Sequence, residues 1–319
     1  MKTITRFTIL IFCLISGTNI SYAADEVING INYTKDKDHA GVTRVLDGGY
    51  KGKIVIPDQV SYKFPTLDYE YKEITVPVTT IKFDAFQNDK ELETVVLGNK
   101  ITEIESNAFE DSGIEYIDIP DNVEVIGHDA FSSCQNLRSV SFGTGLEIIE
   151  NSTFYNCNNL EEIDIPGNVK KIKYHAFMNC ANLRKVTLNE GLKFIESAVF
   201  HNCKSLTRIR IPDSVEEIEG GFGGCENLKL VILGSGIHHI FPYVFTNDHL
   251  KIIICRSQTP PSIEYSTFNY EIYENAILYV PEGAKNKYLS DPNWSRFDAE
   301  HIISGLPTET EIERLLQLN

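Results

Sequence analysis

Cys157 to Asn179 reads CNNLEEIDIPGNVKKIKYHAFMN, and variants of this 23-residue stretch recur on both sides of it. The phenylalanine near its end sets the register: Phe86, Phe109, Phe131, Phe154, Phe177, Phe200, Phe222, Phe245 and Phe268, in steps of 22 or 23 residues. Self-similarity at such a period marks a repeat solenoid, in which each unit buries its apolar face only against its neighbours.

One unit carries two apolar clusters. The first is L-x-x-I-x-I, as in Leu160, Ile163 and Ile165 or Leu183, Val186 and Leu188. Its last three residues alternate with period two, so they predict a short strand. Stacking such strands makes a parallel sheet with a spacing of about 4.8 Å. The second cluster is V-x-x-I-x-x-x-A-F, as in Val169, Ile172, Ala176 and Phe177. It predicts extended chain or a tight turn, with at most one helical turn before Phe, because no run is long enough for a regular helix. The residue after the strand alternates between units. Pro120, Pro166 and Pro212 stand 46 residues apart, and Gly98, Gly143, Asn189 and Gly234 fill the same column in the others. Proline stops a strand by withholding its N–H; Gly or Asn is expected to stop it by turning left-handed.

The ends depart from the unit. Lys2 and Arg6, the apolar run Phe7 to Ile15, and the small-x-small site Ser21-Tyr22-Ala23 predict a signal peptide over residues 1–23. The run is short for a membrane anchor, and Phe12 before Cys13 argues against a lipoprotein. Residues 24–77 predict a β-rich N-terminal cap, and 78–268 hold about eight full repeats. Residues 269–319 predict a mixed C-terminal cap, with a strand over Ile277 to Val280, a short helix after Pro281, then Trp294 and Phe297. At the end of the chain, Thr308 with Glu311 three residues on forms a capping box. Ile312, Leu315 and Leu316 then share one face of a short helix.

The net charge is −16, and without Lys2 and Arg6 it becomes −18, from 27 Lys and Arg against 45 Asp and Glu. Nucleic acid and anionic membrane are therefore poor partners, since both need a basic footprint. No later stretch is apolar enough to span a bilayer.

Cys134, Cys157, Cys180, Cys203 and Cys225 share one column, three residues after Phe. A straight ladder does not converge on a tetrahedral metal, and parallel side chains meet poorly for disulfides, so buried free thiols are expected. Asn136, Asn159, Asn182 and Asn227 form a neighbouring column suited to bonding backbone groups in a turn. His238 and His239 are the one adjacent histidine pair, and neighbours on extended chain point to opposite faces. The sequence offers no catalytic constellation, no cofactor motif and no metal set.

The consensus C-x-N-L-x-x-I-x-I-P-x-x-V-x-x-I-x-x-x-A-F closely resembles the BspA-like leucine-rich repeats, and TPP at 259–261 and LYVP at 278–281 resemble that family's caps. The resemblance implies a right-handed leucine-rich-repeat solenoid, β-rich, with a parallel sheet on one face and little helix. It also implies a secreted or surface protein of bacteria that binds other proteins in adhesion and is not an enzyme. No ligand carries over.

Binding information is expected where the copies disagree, at the outward x positions of L-x-x-I-x-I. The early rungs are mainly acidic, as at Glu115, Asp118, Glu161, Glu162 and Asp164, with Arg138 among them. Arg184, Lys185, Arg208 and Arg210 make a basic middle, and Leu230, Ile232, Ile252 and Ile254 an apolar end. Two readings stand. In one, these eight residues take an extracellular or surface protein through the sheet face. In the other, the C-terminal cap or helix folds over Leu230 to Ile254 and nearby acids neutralise the basic residues. A glycan ligand is the alternative from another class, although Tyr116 is the one aromatic on the predicted face. An enzyme site at a cap has no convergent residues to support it.

Overall fold

The computed structural model describes residues 26–45, 48–65 and 70–318; the expected signal peptide, 1–23, lies outside them. The chain winds into a β-solenoid whose coils are joined by three parallel ladders.

The first ladder is the sheet face. Its strands are Gly52–Val55, Leu92–Val96, Tyr116–Ile119, Ser139–Phe142, Glu162–Ile165, Lys185–Leu188, Arg208–Arg210, Leu230–Leu233, Ile252–Cys255, Ile277–Val280 and Ile302–Ser304. Equivalent columns lie side by side, as in Ile163 beside Val186 and Ile165 beside Leu188. The inward residues Leu160, Ile163 and Ile165 are buried. The second ladder passes through the V-x-x-I cluster. Of the two forms expected, extended chain or a tight turn, it takes the extended one, in two-residue strands such as Lys171–Ile172 and Phe194–Ile195, paired in parallel.

The third ladder runs through the phenylalanines, and no helical turn precedes them. The residue two before Phe is left-handed in Asp84, Asn107, Asp129, Ser152, His175, Ala198 and Tyr243. So is the residue two after, in Asn88, Asp111, Ser133, Asn156, Asn179, Asn202 and Gly224. These two bends turn the Phe backbone so that it bonds from coil to coil, as in Phe154 N–H to the Ala176 carbonyl at 2.8 Å and Phe177 N–H to Val199 at 2.9 Å. The rings stack in a continuous column, with Phe154–Phe177 centroids 5.3 Å apart and planes within 7°. Tyr50 covers the first ring of the column, Phe86, at 4.7 Å. Tyr273, Trp294 and Phe297 close the other end edge-on against Phe268. Such tilted packing suits the positive edge and negative face of aromatic rings.

The thiol column explains itself beside this stack. All six described cysteines are free and buried. The Phe154 carbonyl accepts the Cys157 N–H of its own coil at 3.4 Å and the Cys180 thiol of the next at 3.2 Å. Phe131 and Phe177 repeat the pattern with Cys157 and Cys203, at 3.1 and 3.3 Å. A buried carbonyl thus fills both acceptor positions, and Cys is a small, largely apolar donor that fits there. In the Asn column, Asn159 donates to the Gln135 carbonyl and Asn227 to the Lys204 carbonyl of the neighbouring coil, both at 2.8 Å, while Asn182 donates to the Asn159 side-chain oxygen at 3.2 Å.

The Pro/Gly alternation has a different cause from the one expected. Gly98, Gly143 and Gly234 are not left-handed, nor is Asn189. A Cβ on Gly143 would lie 2.6 Å from the backbone of Pro120 and Asp121, and one on Gly234 2.2 Å from the Pro212 carbonyl. At Gly98, Gly143 and Gly234 the proline turn of one coil presses against the backbone of the next, so a side chain is excluded there by contact and not by torsion, whereas the turn at Pro166-Gly167 admits Asn189, whose amide donates to the Ile165 carbonyl at 2.9 Å.

At the N-terminal end, Glu26–Ile28, Ile31–Lys35 and Ala40–Val42 form an antiparallel meander, joined in parallel to the long strand Tyr71–Ile81. That strand also forms a hairpin with Gln59–Pro65. At the C-terminal end, Lys285–Ser290 is the helix after Pro281. Trp294 is core, its indole N–H donating to the Pro261 carbonyl at 2.8 Å. The helix Tyr270–Asn275 and the strand Ile302–Ser304 were not evident from the residue pattern. Among the described residues, no helix is long and apolar enough to cross a membrane.

Candidate functional site on the sheet face

The outward positions of the first ladder form one long surface, and its C-terminal part is covered by the chain's own helix Glu309–Leu318. Thr308 and Glu311 start that helix with the expected capping box: Thr308 N–H donates to Glu311 Oε2 at 2.7 Å, and Glu311 N–H to Thr308 Oγ1 at 3.3 Å. The charge-stabilising bonds from Thr308 hold the Glu311 carboxyl below its ordinary pKa.

Ile312 is 4% exposed and packs into Leu230 (1%), Ile232 (5%), Ile252 (1%) and Ile254 (2%). Leu315, Leu316 and Tyr279 complete the cluster from its edge. The four apolar candidates are therefore not open to a partner here; they are buried under the helix. Burial and the neighbouring Glu311 both raise the pKa of Tyr279.

The two arginines beside this patch fix the helix in register. Arg208 pairs with Glu313 and Arg210 with Glu309. Four helical residues advance about 6 Å, and two strand residues about 6.6 Å. The pairs match only if the helix runs antiparallel to the strand. Further along, Arg184 meets Glu162 at 2.6 Å and Glu161 at 3.3 Å, while Lys185 meets Glu162 at 3.5 Å. All four basic candidates are thus neutralised by acids of the same chain. All these pairs are solvent-exposed, and such pairs contribute about 0–1 kcal/mol each.

The eight candidates consequently separate into two groups. Arg208, Arg210, Leu230, Ile232, Ile252 and Ile254 make one seat for the helix. Arg184 and Lys185 belong to an open stretch with Tyr116, Asp118, Arg138, Ser139, Ser141, Glu161, Glu162 and Asp164. Tyr279, Glu309 and Glu313 belong to the seat and were not singled out from the sequence. The available signal was the match between two acids four apart on a helix and two arginines two apart on a strand.

The profile of the BspA type Leucine rich repeat region matches residues 60–184 and 147–275, in six copies. Among solved structures, a leucine-rich repeat protein from Bacteroides ovatus is similar at 20% identity and a TM-score of 0.50, covering 81% of this chain and 85% of that one. A leucine-rich repeat protein from Eubacterium ventriosum is similar at 25% identity and a TM-score of 0.52, over 63% of this chain and 50% of that one. No functionally curated protein matches the chain. With the repeat profile spanning most of the chain and the three ladders in place, the chain belongs to the BspA-type leucine-rich repeat family.

Proposed function

We propose that this protein is a secreted or surface-displayed, non-catalytic binder of another protein, acting through its sheet face. The observation that carries this reading is the contrast between the two sides of one strand. Inward residues repeat and are buried, as Ile117, Val140 and Ile163 are. Outward residues change from coil to coil and are open, as in the column of Tyr116, Ser139 and Lys185. A rigid array with a variable extended surface suits recognition of a macromolecule.

The test is affinity capture with chain 24–319 on extracellular and surface material, followed by charge reversal. Arg184, Lys185, Arg208 and Arg210 changed together to Glu should weaken binding of the captured protein by about tenfold or more. Because Arg208 and Arg210 also hold the helix, Arg184→Glu with Lys185→Glu is measured separately. Undiminished binding by both folded variants refutes the face as the site.

A glycan is the second reading, favoured by Tyr243, Tyr265 and Tyr270, which are 70%, 74% and 63% exposed near the C-terminal end. Rings that present an apolar face to water are suited to stacking on a ligand. Tyr243→Ala with Tyr265→Ala should abolish glycan binding if that reading holds, and leave protein capture unchanged.

A further inference from the structure

We infer that the helix Glu309–Leu318 is a removable cover, and that the seat beneath it takes an acidic amphipathic helix from a partner protein. This rests on the reading of the sheet face as the binding surface and names the ligand chemistry of its C-terminal part.

Three observations carry it. First, the seat is separate from the solenoid core: Leu230, Ile232, Ile252, Ile254 and Ile312 form a cluster of their own, while Val231, Leu233, Ile253 and Cys255 on the same strands belong to the main core. The helix adds no strand to the ladder, so it can leave without opening a coil. Second, its attachment is light. Ile312 is the one helix residue fully buried in the seat among the described residues, and its two ion pairs are solvent-exposed. A ten-residue helix is marginal by itself in water, so its order depends on docking. Third, the seat specifies its occupant: two arginines ask for acids four apart on a helix, and the four aliphatic residues ask for an apolar side chain between them. Any helix with that pattern and a larger apolar face competes for it, as helix-in-groove ligands do.

The probe is a labelled peptide of residues 305–319, offered to chain 24–319 with and without Ile312→Asp. The tethered helix occupies the seat in the unmodified chain, so the variant should bind the peptide about tenfold or more tightly. A peptide with Glu309→Lys and Glu313→Lys should lose that binding and regain it on a chain that also carries Arg208→Glu and Arg210→Glu. Hydrogen exchange of the Ile312→Asp chain should speed up in 309–318 and on the seat, and not at the Phe ladder. Equal binding by both chains, no binding by the variant, or lost protection at Phe200 and Phe222 would overturn the inference. Self-association of the variant without peptide binding would overturn it in favour of a second copy as occupant. The peptide assay needs no natural partner, so it can fail while the binding face upstream, tested by Arg184 and Lys185, stands.

Discussion

The cysteine ladder makes the solenoid sensitive to alkali, and the size of the effect can be worked from burial. Cys134, Cys180 and Cys225 are each pushed from the ordinary thiol value of 9.0 up to about 12, chiefly by desolvation. Cys157 and Cys203 are pushed well above 9.0 by burial and by the thiols on either side. Above pH 9 the unfolded chain loses these protons while the folded chain keeps them. For Cys134, Cys180 and Cys225 each thiol's contribution is therefore intact well below pH 9 and falls by about 1.4 kcal/mol per pH unit from there to about pH 12. Those three together remove about 4 kcal/mol by pH 10, a large share of the stability of an ordinary domain, and Cys157, Cys203 and Cys255 add to the loss in the same direction. The assay is urea unfolding of the reduced chain at closely spaced pH values from 8 to 10, read mainly below pH 9.5, before the ordinary tyrosine value of 10.0 is reached. Stability should be level to about pH 8.5 and then fall steeply. Cys180→Ser keeps a donor for the Phe154 carbonyl and removes one titrating group, so its slope should be shallower by up to about 1.4 kcal/mol per pH unit. In parallel, a thiol reagent should find no reactive cysteine among these in the native chain at pH 8 and all of them after denaturation. A level stability through pH 10, or a Cys180→Ser slope equal to that of the parent, would refute the account.

Two further substitutions separate packing from torsion. Phe177→Ala removes a ring stacked on both sides, at 5.3 and 5.5 Å, and should cost about 3–5 kcal/mol in denaturant unfolding. Gly143→Ala would gain about 0.4–1 kcal/mol if only backbone freedom mattered; the 2.6 Å approach to Pro120 and Asp121 predicts a loss of stability instead, read by the same unfolding assay.

Much of the fold was legible because a solenoid writes its contacts at a fixed interval. The Phe, Cys, Asn and Leu columns are stacks in space for the same reason that they are columns in sequence. The left-handed bends were partly legible. Asn88, Asp111, Asn156, Asn179 and Asn202 are residue types that tolerate positive φ, yet Ala198 and Tyr243 adopt it in the other column without any such signal. There the hydrogen-bond ladder imposes the conformation. The Pro/Gly alternation was visible and its reason was not, since the close approach is between backbones of different coils. Two-residue strands such as Lys171–Ile172 carry too little pattern to be distinguished from a turn.

By itself the sequence determined the coil, its period, its inward face, and the amphipathic helix after Thr308. Those follow from local periodicity and from copies that agree. Tertiary structure alone decided where that helix rests. Glu309 and Glu313 meet arginines 99 and 105 residues away, and a helix's apolar stripe states that it must be buried without stating against what. The outward Leu230, Ile232, Ile252 and Ile254 read equally well as an open patch or a covered one. Closing the chain back over its own sheet settled the choice, because it buries Ile312 and those four residues together while leaving the acids of the helix in reach of Arg208 and Arg210.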